Sequence, residues 1–247
     1  MTKSTGLGMR FLVGGYDISG TTAAFDTIRG GSATWDINDI TQSAMARTGL
    51  ARTGGIEVTT FYTGDAAGEA HERLSAMPTD DVHVMVMTAQ TLGAPVLAAV
   101  GKQVTYDMSR PSDGSLLCKT TVESTDYGVE WGDLLTAGMR TDTAATNGSS
   151  VDFGAAGTNG LQMWLQATDF TGTSITLKLQ QSSDNGGADA WADLAGAAFT
   201  AVSADNVTQR VAIAGNVERY LRLVSTGTFT TATFAVGVTV NATAVAF

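Results

Sequence analysis

Cysteine is almost missing from this chain: Cys118 is the single one in 247 residues. No internal disulfide can form, so the fold does not depend on an oxidising compartment. Charge is also scarce, at 15% of residues against 43% hydrophobic. A disordered chain shows the reverse balance, so disorder is excluded. Basic side chains number 14 against 24 acidic ones, for a net charge of −10 and a pI near 4.5. A protein that grips nucleic acid needs basic residues to displace phosphate counterions. The balance here excludes a generic nucleic-acid binder, though not a surface past which DNA slides without sticking. Proline is low at 3, and the 29 glycines follow no three-residue period, which excludes a collagen-like repeat. Long apolar runs are missing too. Leu92–Val100 is the longest, far below the roughly 20 residues of a membrane helix. Met1–Gly20 lacks the basic start and apolar run of a signal peptide. The expected product is soluble and made in a cytosol, with no membrane partner.

What is abundant is threonine, with 37 residues, and glycine is high at 29. Threonine favours strands and glycine serves tight turns, so the composition reads as all-β. The length suits one large domain or two ordinary ones. Two textures are present: residues 1–150 hold 10 basic and 17 acidic side chains, the rest only 4 and 7. Thr136–Asn159, small and polar, has loop composition. A boundary near 148 follows, giving domains 1–147 and 148–247.

In the first domain, alternation predicts strands at Ile56–Tyr62, Val82–Met87, Gln103–Met108 and Leu116–Ser124, the last two joined through a turn at Asp113-Gly114. Ala66–Met77 carries Ala70, Leu74 and Met77 at helical spacing and is closed by Pro78, so one short helix is expected on a sheet. Ser32–Gly55 is polar, with Ile37, Ile40, Met45 and Leu50 loosely spaced. It reads as a loop too long for a mere connection, and such loops are functional or mobile. The second domain alternates at Leu161–Ala167, Ser174–Gln180, Gln209–Ile213, Tyr220–Val224 and Ala232–Asn241. Turns are expected at Asp184–Gly187 and Ser225–Gly227. That rhythm indicates a β-sandwich of short strands, with Trp164, Trp191, Phe199, Tyr220 and Phe234 as its large core residues.

Catalytic patterns are missing as well. His71 and His83 are twelve apart in different elements, not the His-Glu-x-x-His of a zinc helix. Cys118 reads as a small buried hydrophobe in a strand; a nucleophile would need a histidine beside it. Gly6-Leu7-Gly8 and Gly14-Gly15 lack the spacing and context of a phosphate loop. Glu130 and Asp133 could serve a glycosidase only at a defined separation across a cleft; solubility and turn chemistry is the plainer reading. Asp184, Asn185 and Asp189, with Trp191 nearby, make a candidate surface-binding loop, for calcium or another ligand. The closing glutamate of an EF-hand is absent, and a plain hairpin turn is the simpler account. Trp164 and Trp191 read as core first and as sugar-stacking platforms second. No cofactor is expected.

Trp35-Asp36-Ile37-Asn38-Asp39-Ile40-Thr41, then Ala46-Arg47-Thr48-Gly49-Leu50, then Gly54-Gly55-Ile56-Glu57-Val58-Thr59-Thr60-Phe61 resembles the tail tube (major tail) proteins of long, non-contractile-tailed bacteriophages. The family's order is a first strand, a long loop with a Gly-Leu element, a strand, a short helix such as Gly68–Met77, and closing strands such as Gly128-Val129-Glu130-Trp131-Gly132. Leu177–Asp184, Trp191 and Glu218–Leu223 are similar to modules that end some of these tail proteins. The resemblance implies a tail-tube-type β-sandwich or barrel with an outer C-terminal sandwich, and no catalytic residues. It also implies hexameric rings stacked into a tube, with tape-measure, terminator and distal tail proteins as partners and DNA passing an acidic lumen. Ring closure would protect exposed strand edges, and stacking would give an open filament. Ile37, Ile40, Met45, Arg47, Leu50 and Arg52 would then contact an adjacent subunit or ring. The rival expectations are a capsid decoration protein or carbohydrate-binding surface module, and, more distantly, a polysaccharide hydrolase using Glu130 or Asp133.

Overall fold

The computed structural model describes residues 5–64, 69–125 and 127–243. The chain runs through β1 (Arg10–Val13), β2 (Tyr16–Asp17), β3 (Thr22–Asp36), β4 (Arg47–Phe61), α1 (Ala70–Ser75), β5 (Val82–Met87), β6 (Pro95–Ser109) and β7 (Leu117–Ser124). It continues through β8 (Glu130–Leu134), β9 (Arg140–Asp142), β10 (Asn147–Asp152), β11 (Leu161–Ser182), β12 (Ala192–Ala198), β13 (Val207–Ile213) and β14 (Tyr220–Val240). The fold is all-β with one short helix. Two compact units form: one takes 1–19, 85–98 and 131–247, the other 20–84 and 99–130. The first of these thus joins segments from both sides of position 148, and the second lies wholly before it.

The smaller unit is an antiparallel sheet in the order β3, β4, β7, β6. Alternation decides its two faces. Ile56, Val58 and Thr60 of β4 pair with Val122, Thr120 and Cys118 of β7, and all six are buried. Leu74 of α1 is buried as well, and Gln103 of β6 donates Nε2 to its carbonyl at 2.6 Å. That bond satisfies one of the carbonyls a helix end leaves open. The helix is shorter than the predicted 66–77. It ends before Met77, whose φ is +42°, and residues 65–68 lie outside the described ones. On the opposite face, Arg29 bonds Glu57 at 3.0 Å and also Glu123. Lys119 meets Glu57 at 3.2 Å and Asp26 at 3.7 Å. Lys119, hydrogen-bonded to it, and Arg29 hold the Glu57 carboxyl below the usual range. Exposed pairs of this kind add little stability, but they mark this face as solvated. The Asp113-Gly114 turn forms as its sequence predicts: Gly114 takes φ +89°, and Ser115 donates to Asp113 through N–H and hydroxyl at 2.9 and 2.7 Å.

The larger unit is built on one long antiparallel pair. β11 and β14 run together from Leu161↔Val240 to Ser182↔Tyr220, with register shifts near Ala167, Thr171 and Gly172. The expected short strands at 161–167 and 174–180 are therefore one strand, as are 220–224 and 232–241, and the expected turn at Ser225–Gly227 lies inside β14. The bulges leave single residues unpaired and bend the strand. That local break in alternation mimics a turn in sequence. On its far side β11 pairs with β13 and β12; β14 pairs with β10, β9 and β8. One core takes residues from both limbs, among them Leu161, Met163, Leu177, Leu179, Leu223, Phe234 and Val236. Phe199 and Trp164 are buried too, but Trp191 and Tyr220 are only half-buried. Arg222 and Arg219 lie over those two rings, at 5.0 Å or less. The Gly14-Gly15 pair has a packing explanation. Gly15 has φ +86°, and a Cβ there would sit 2.4 Å from the Asn206 carbonyl carbon. Its N–H donates to buried Gln166 Oε1 at 2.8 Å.

Candidate functional site

The Ser32–Gly55 segment, read from sequence as a loop, is mostly ladder. β3 and β4, each 15 residues long, pair from Thr22↔Thr60 out to Asp36↔Arg47, and only 37–46 is loop. The signal was hidden because neither face is buried. From Arg29 to Thr53 every residue is exposed on both faces of the hairpin except half-buried Ile37-side neighbour Ala46. With no inside, period-2 patterning has nothing to record. At about 3.3 Å per residue, Arg29 to Asp36 makes an arm of roughly 25 Å.

The arm's base is set by glycine. Gly30 pairs with Gly54. A Cβ on Gly54 would lie 2.7 Å from the Arg29 carbonyl oxygen and 2.9 Å from a Val129 methyl, and one on Gly30 would lie 3.1 Å from Val129 Cβ. Val129 packs where side chains would otherwise stand. The tip is ordered by local acceptors. Asn38 Oδ1 accepts from the Ala46 N–H, and Ile37 N–H donates to the Ala46 carbonyl at 3.0 Å. Asp39 accepts from Thr41 through its hydroxyl at 2.5 Å and its N–H at 2.8 Å. These bonds, the hydroxyl first, hold the Asp39 carboxyl below its ordinary value.

The arm carries apolar surface that its own chain does not cover. Trp35 is 65% exposed, Met45 64%, Leu50 51%, Ile37 49% and Ile40 fully exposed. All six residues expected at an assembly contact, Ile37, Ile40, Met45, Arg47, Leu50 and Arg52, sit on this arm. Sequence reading passed over Trp35 as a contact residue. Arg47 is held by Asp36 at 2.7 Å. Arg52 is exposed and has no hydrogen-bond or ionic partner among the described residues. Among the described residues β3 pairs only with β4, so its outer edge along the arm is open, a template for another strand.

The other candidate, the exposed loop of Asp184, Asn185 and Asp189 with half-buried Trp191, is brought together, but its side chains bond one another and the loop's own backbone. Asp184 accepts backbone N–H bonds from Gly187 at 2.9 Å, Ala188 at 2.6 Å and Asp189 at 3.1 Å. Those donors, Asp189 first, hold the Asp184 carboxyl below the ordinary carboxylate range. Asp189 accepts from Ser183 N–H at 2.7 Å, and Asn185 from the Ser150 hydroxyl at 2.6 Å. The Arg222 guanidinium lies 4.5 Å from the Trp191 ring centre. Trp164, the other expected platform, is only 4% exposed, too buried to stack on a sugar. The geometry is that of a self-satisfied turn.

Of the residues weighed for catalysis, His71 bonds the Tyr106 hydroxyl at 2.7 Å and stacks edge-on to Tyr62. Burial pushes the Tyr106 hydroxyl up. Cys118 is buried in β7. Glu130 is buried, and burial pushes the Asp133 carboxyl up. No cluster of three or more His, Cys, Asp or Glu suited to a metal ion occurs among the described residues, and no helix there is long and apolar enough to cross a membrane.

No family model and no curated protein matches the chain. Among solved structures it is similar to a chain from the tail of an empty GTA particle refined with C6 symmetry, with 12% identity, covering 53% of this chain and 98% of that one, at a TM-score of 0.39. It is similar to the Dit protein of phage SPP1, with 12% identity, 94% and 99% coverage and a TM-score of 0.34. The third is a chain of the phage P2 baseplate in its activated conformation with Ca, with 9% identity, 94% and 98% coverage and a TM-score of 0.32. Likenesses this weak carry no argument about what the chain does.

Proposed function

We propose that the chain is a non-enzymatic structural protein of a phage virion tail, made in the host cytoplasm and assembled with copies of itself. The arm from Arg29 to Thr53 carries this reading: it exposes Trp35, Ile37, Ile40, Met45 and Leu50, beside an open strand edge. Large apolar side chains left this exposed on one element mark an interaction site. An arm that contacts a different patch on the next copy makes a heterologous contact, which closes into rings or propagates as a filament. With the tail-tube resemblance of the sequence, the finer reading is stacked hexameric rings with the arm reaching an adjacent subunit or ring. The net charge of −10 suits a lumen that DNA crosses without arrest. Tape-measure, terminator and distal tail proteins are the partners this reading requires.

Negative-stain electron microscopy of the full chain across a concentration series tests it. Rings or hollow tubes with a central channel are expected. A closed oligomer without a channel would refute the tube and favour the alternative of a capsid decoration or carbohydrate-binding surface module.

A further inference from the structure

The larger unit uses one device repeatedly: an arginine laid over an aromatic ring. Arg140 lies 5.6 Å from the Phe234 centre while binding Asp142 with two bonds of 2.7 Å. Arg219 lies 5.0 Å from Tyr220 while binding Asp152 at 2.7 and 2.6 Å. Arg210 lies over Trp164 and Arg222 over Trp191. A guanidinium suits both partners at once, because its face is weakly hydrated and its edge offers a fork of donors.

One place has the aromatic ring and the carboxylate without the arginine. Trp131 and Asp133 stand two residues apart on β8, hence on one face of the strand. Trp131 is 58% exposed. Asp133 has no hydrogen-bond or ionic partner among the described residues, and burial alone pushes its carboxyl up. Both line an open groove of about 510 Å³ with Gly132, Phe153, Asn159 and Val240. A partly desolvated, unpaired carboxylate beside an open indole face is a receptor for a cation.

The matching cation is on the arm. Of the described basic side chains, Arg52 and Arg110 have no partner, and Arg52 is the one on the arm, where every residue from 47 to 53 is exposed. Arg52 pairs with Ser32, and the register shift that follows, before Thr34↔Gly49, separates it from Leu50. We propose that Arg52 of one copy enters the Trp131–Asp133 groove of another, with its guanidinium on the indole face and its donors on the carboxylate. This deepens the assembly reading and rests on it.

Sedimentation velocity and electron microscopy on the full chain test the pairing. Arg52→Asp and Asp133→Arg are each expected to weaken association about tenfold or more, and the two together to restore it to within about threefold of wild type. Asp133→Asn, with wild-type circular dichroism as its folding check, stands in if the arginine variant does not fold, and Trp131→Ser is expected to match it. If wild type assembles and the single variants do too, or if the double variant is no better than the singles, the pairing is overturned and the assembly reading stands. A wild type that never associates, and that Trp35→Ser/Leu50→Ser leaves unchanged, removes both. Quenching by maltose or cellobiose of the fluorescence that Trp131→Phe abolishes, insensitive to Arg52→Asp, assigns the groove to sugars and likewise overturns the pairing.

Discussion

Replacing Trp35 and Leu50 by serine separates assembly from folding. Both side chains lie on the arm and are already more than half exposed, at 65% and 51%. Within one chain the change removes little buried surface, and a surface substitution away from special features stays within about 0.5 kcal/mol. The melting temperature of the monomer should therefore shift by no more than about 4 °C. In an assembly the exposed part of each side chain is what a neighbour covers. Full burial of such a residue is worth about 1.5–3 kcal/mol, so the exposed half or more contributes roughly 1–2 kcal/mol at each contact. Two positions together predict a loss of association on the order of a hundredfold or more, if the terms add. Sedimentation velocity at matched concentrations reads the association, and differential scanning calorimetry reads the stability. Undiminished assembly in the double variant would refute the reasoning, and so would a monomer destabilised by several kcal/mol, because the arm would then be part of the chain's own core.

Leu223→Ala, in the core shared by both limbs of the β11–β14 pair, is expected to cost about 2–5 kcal/mol in urea unfolding. Gly54→Val should lower the melting temperature, because its Cβ has Val129 2.9 Å away; the same change at exposed Gly49, with nothing near it, should not. Asp133→Asn should raise the melting temperature near pH 7 and lose that advantage in acid. Its folded carboxyl is pushed above the unfolded value, so the native chain binds that proton more tightly and stability falls as pH rises through the folded value. The exchange at Asp152 runs the other way. Arg219 holds that carboxyl down to about 2, so its contribution is full above the unfolded value near 3.8 and fades as pH falls toward 2; Asp152→Asn should flatten that part of an acid-unfolding curve. A fragment starting at 131 should be more soluble than one starting at 148, since only the longer one keeps β8 and β9 on β14; equal solubility would show that 148–247 folds by itself.

Much of this protein was legible without coordinates. Threonine and glycine content fixed the all-β class, and the Val82–Met87 run located β5 to the residue, even though both of its faces are buried from Val84 to Met87. The Asp113-Gly114 turn follows from side chains that bond their own backbone. The sequence also placed Ile37, Ile40, Met45 and Leu50 together in a segment with no inside. Tertiary structure decided the rest. It made the 32–55 segment a hairpin rather than a loop, since a ladder between two exposed strands leaves no hydrophobic period to read. It fused four expected strands into β11 and β14, since a bulge and a turn look alike along the chain. A compact unit drawn from both sides of position 148 could not be foreseen, because pairing of β8 and β9 with β14 spans about a hundred residues and depends on long-range register. Trp131 and Asp133 likewise became a groove only when 153–159 and 240–242 closed around them.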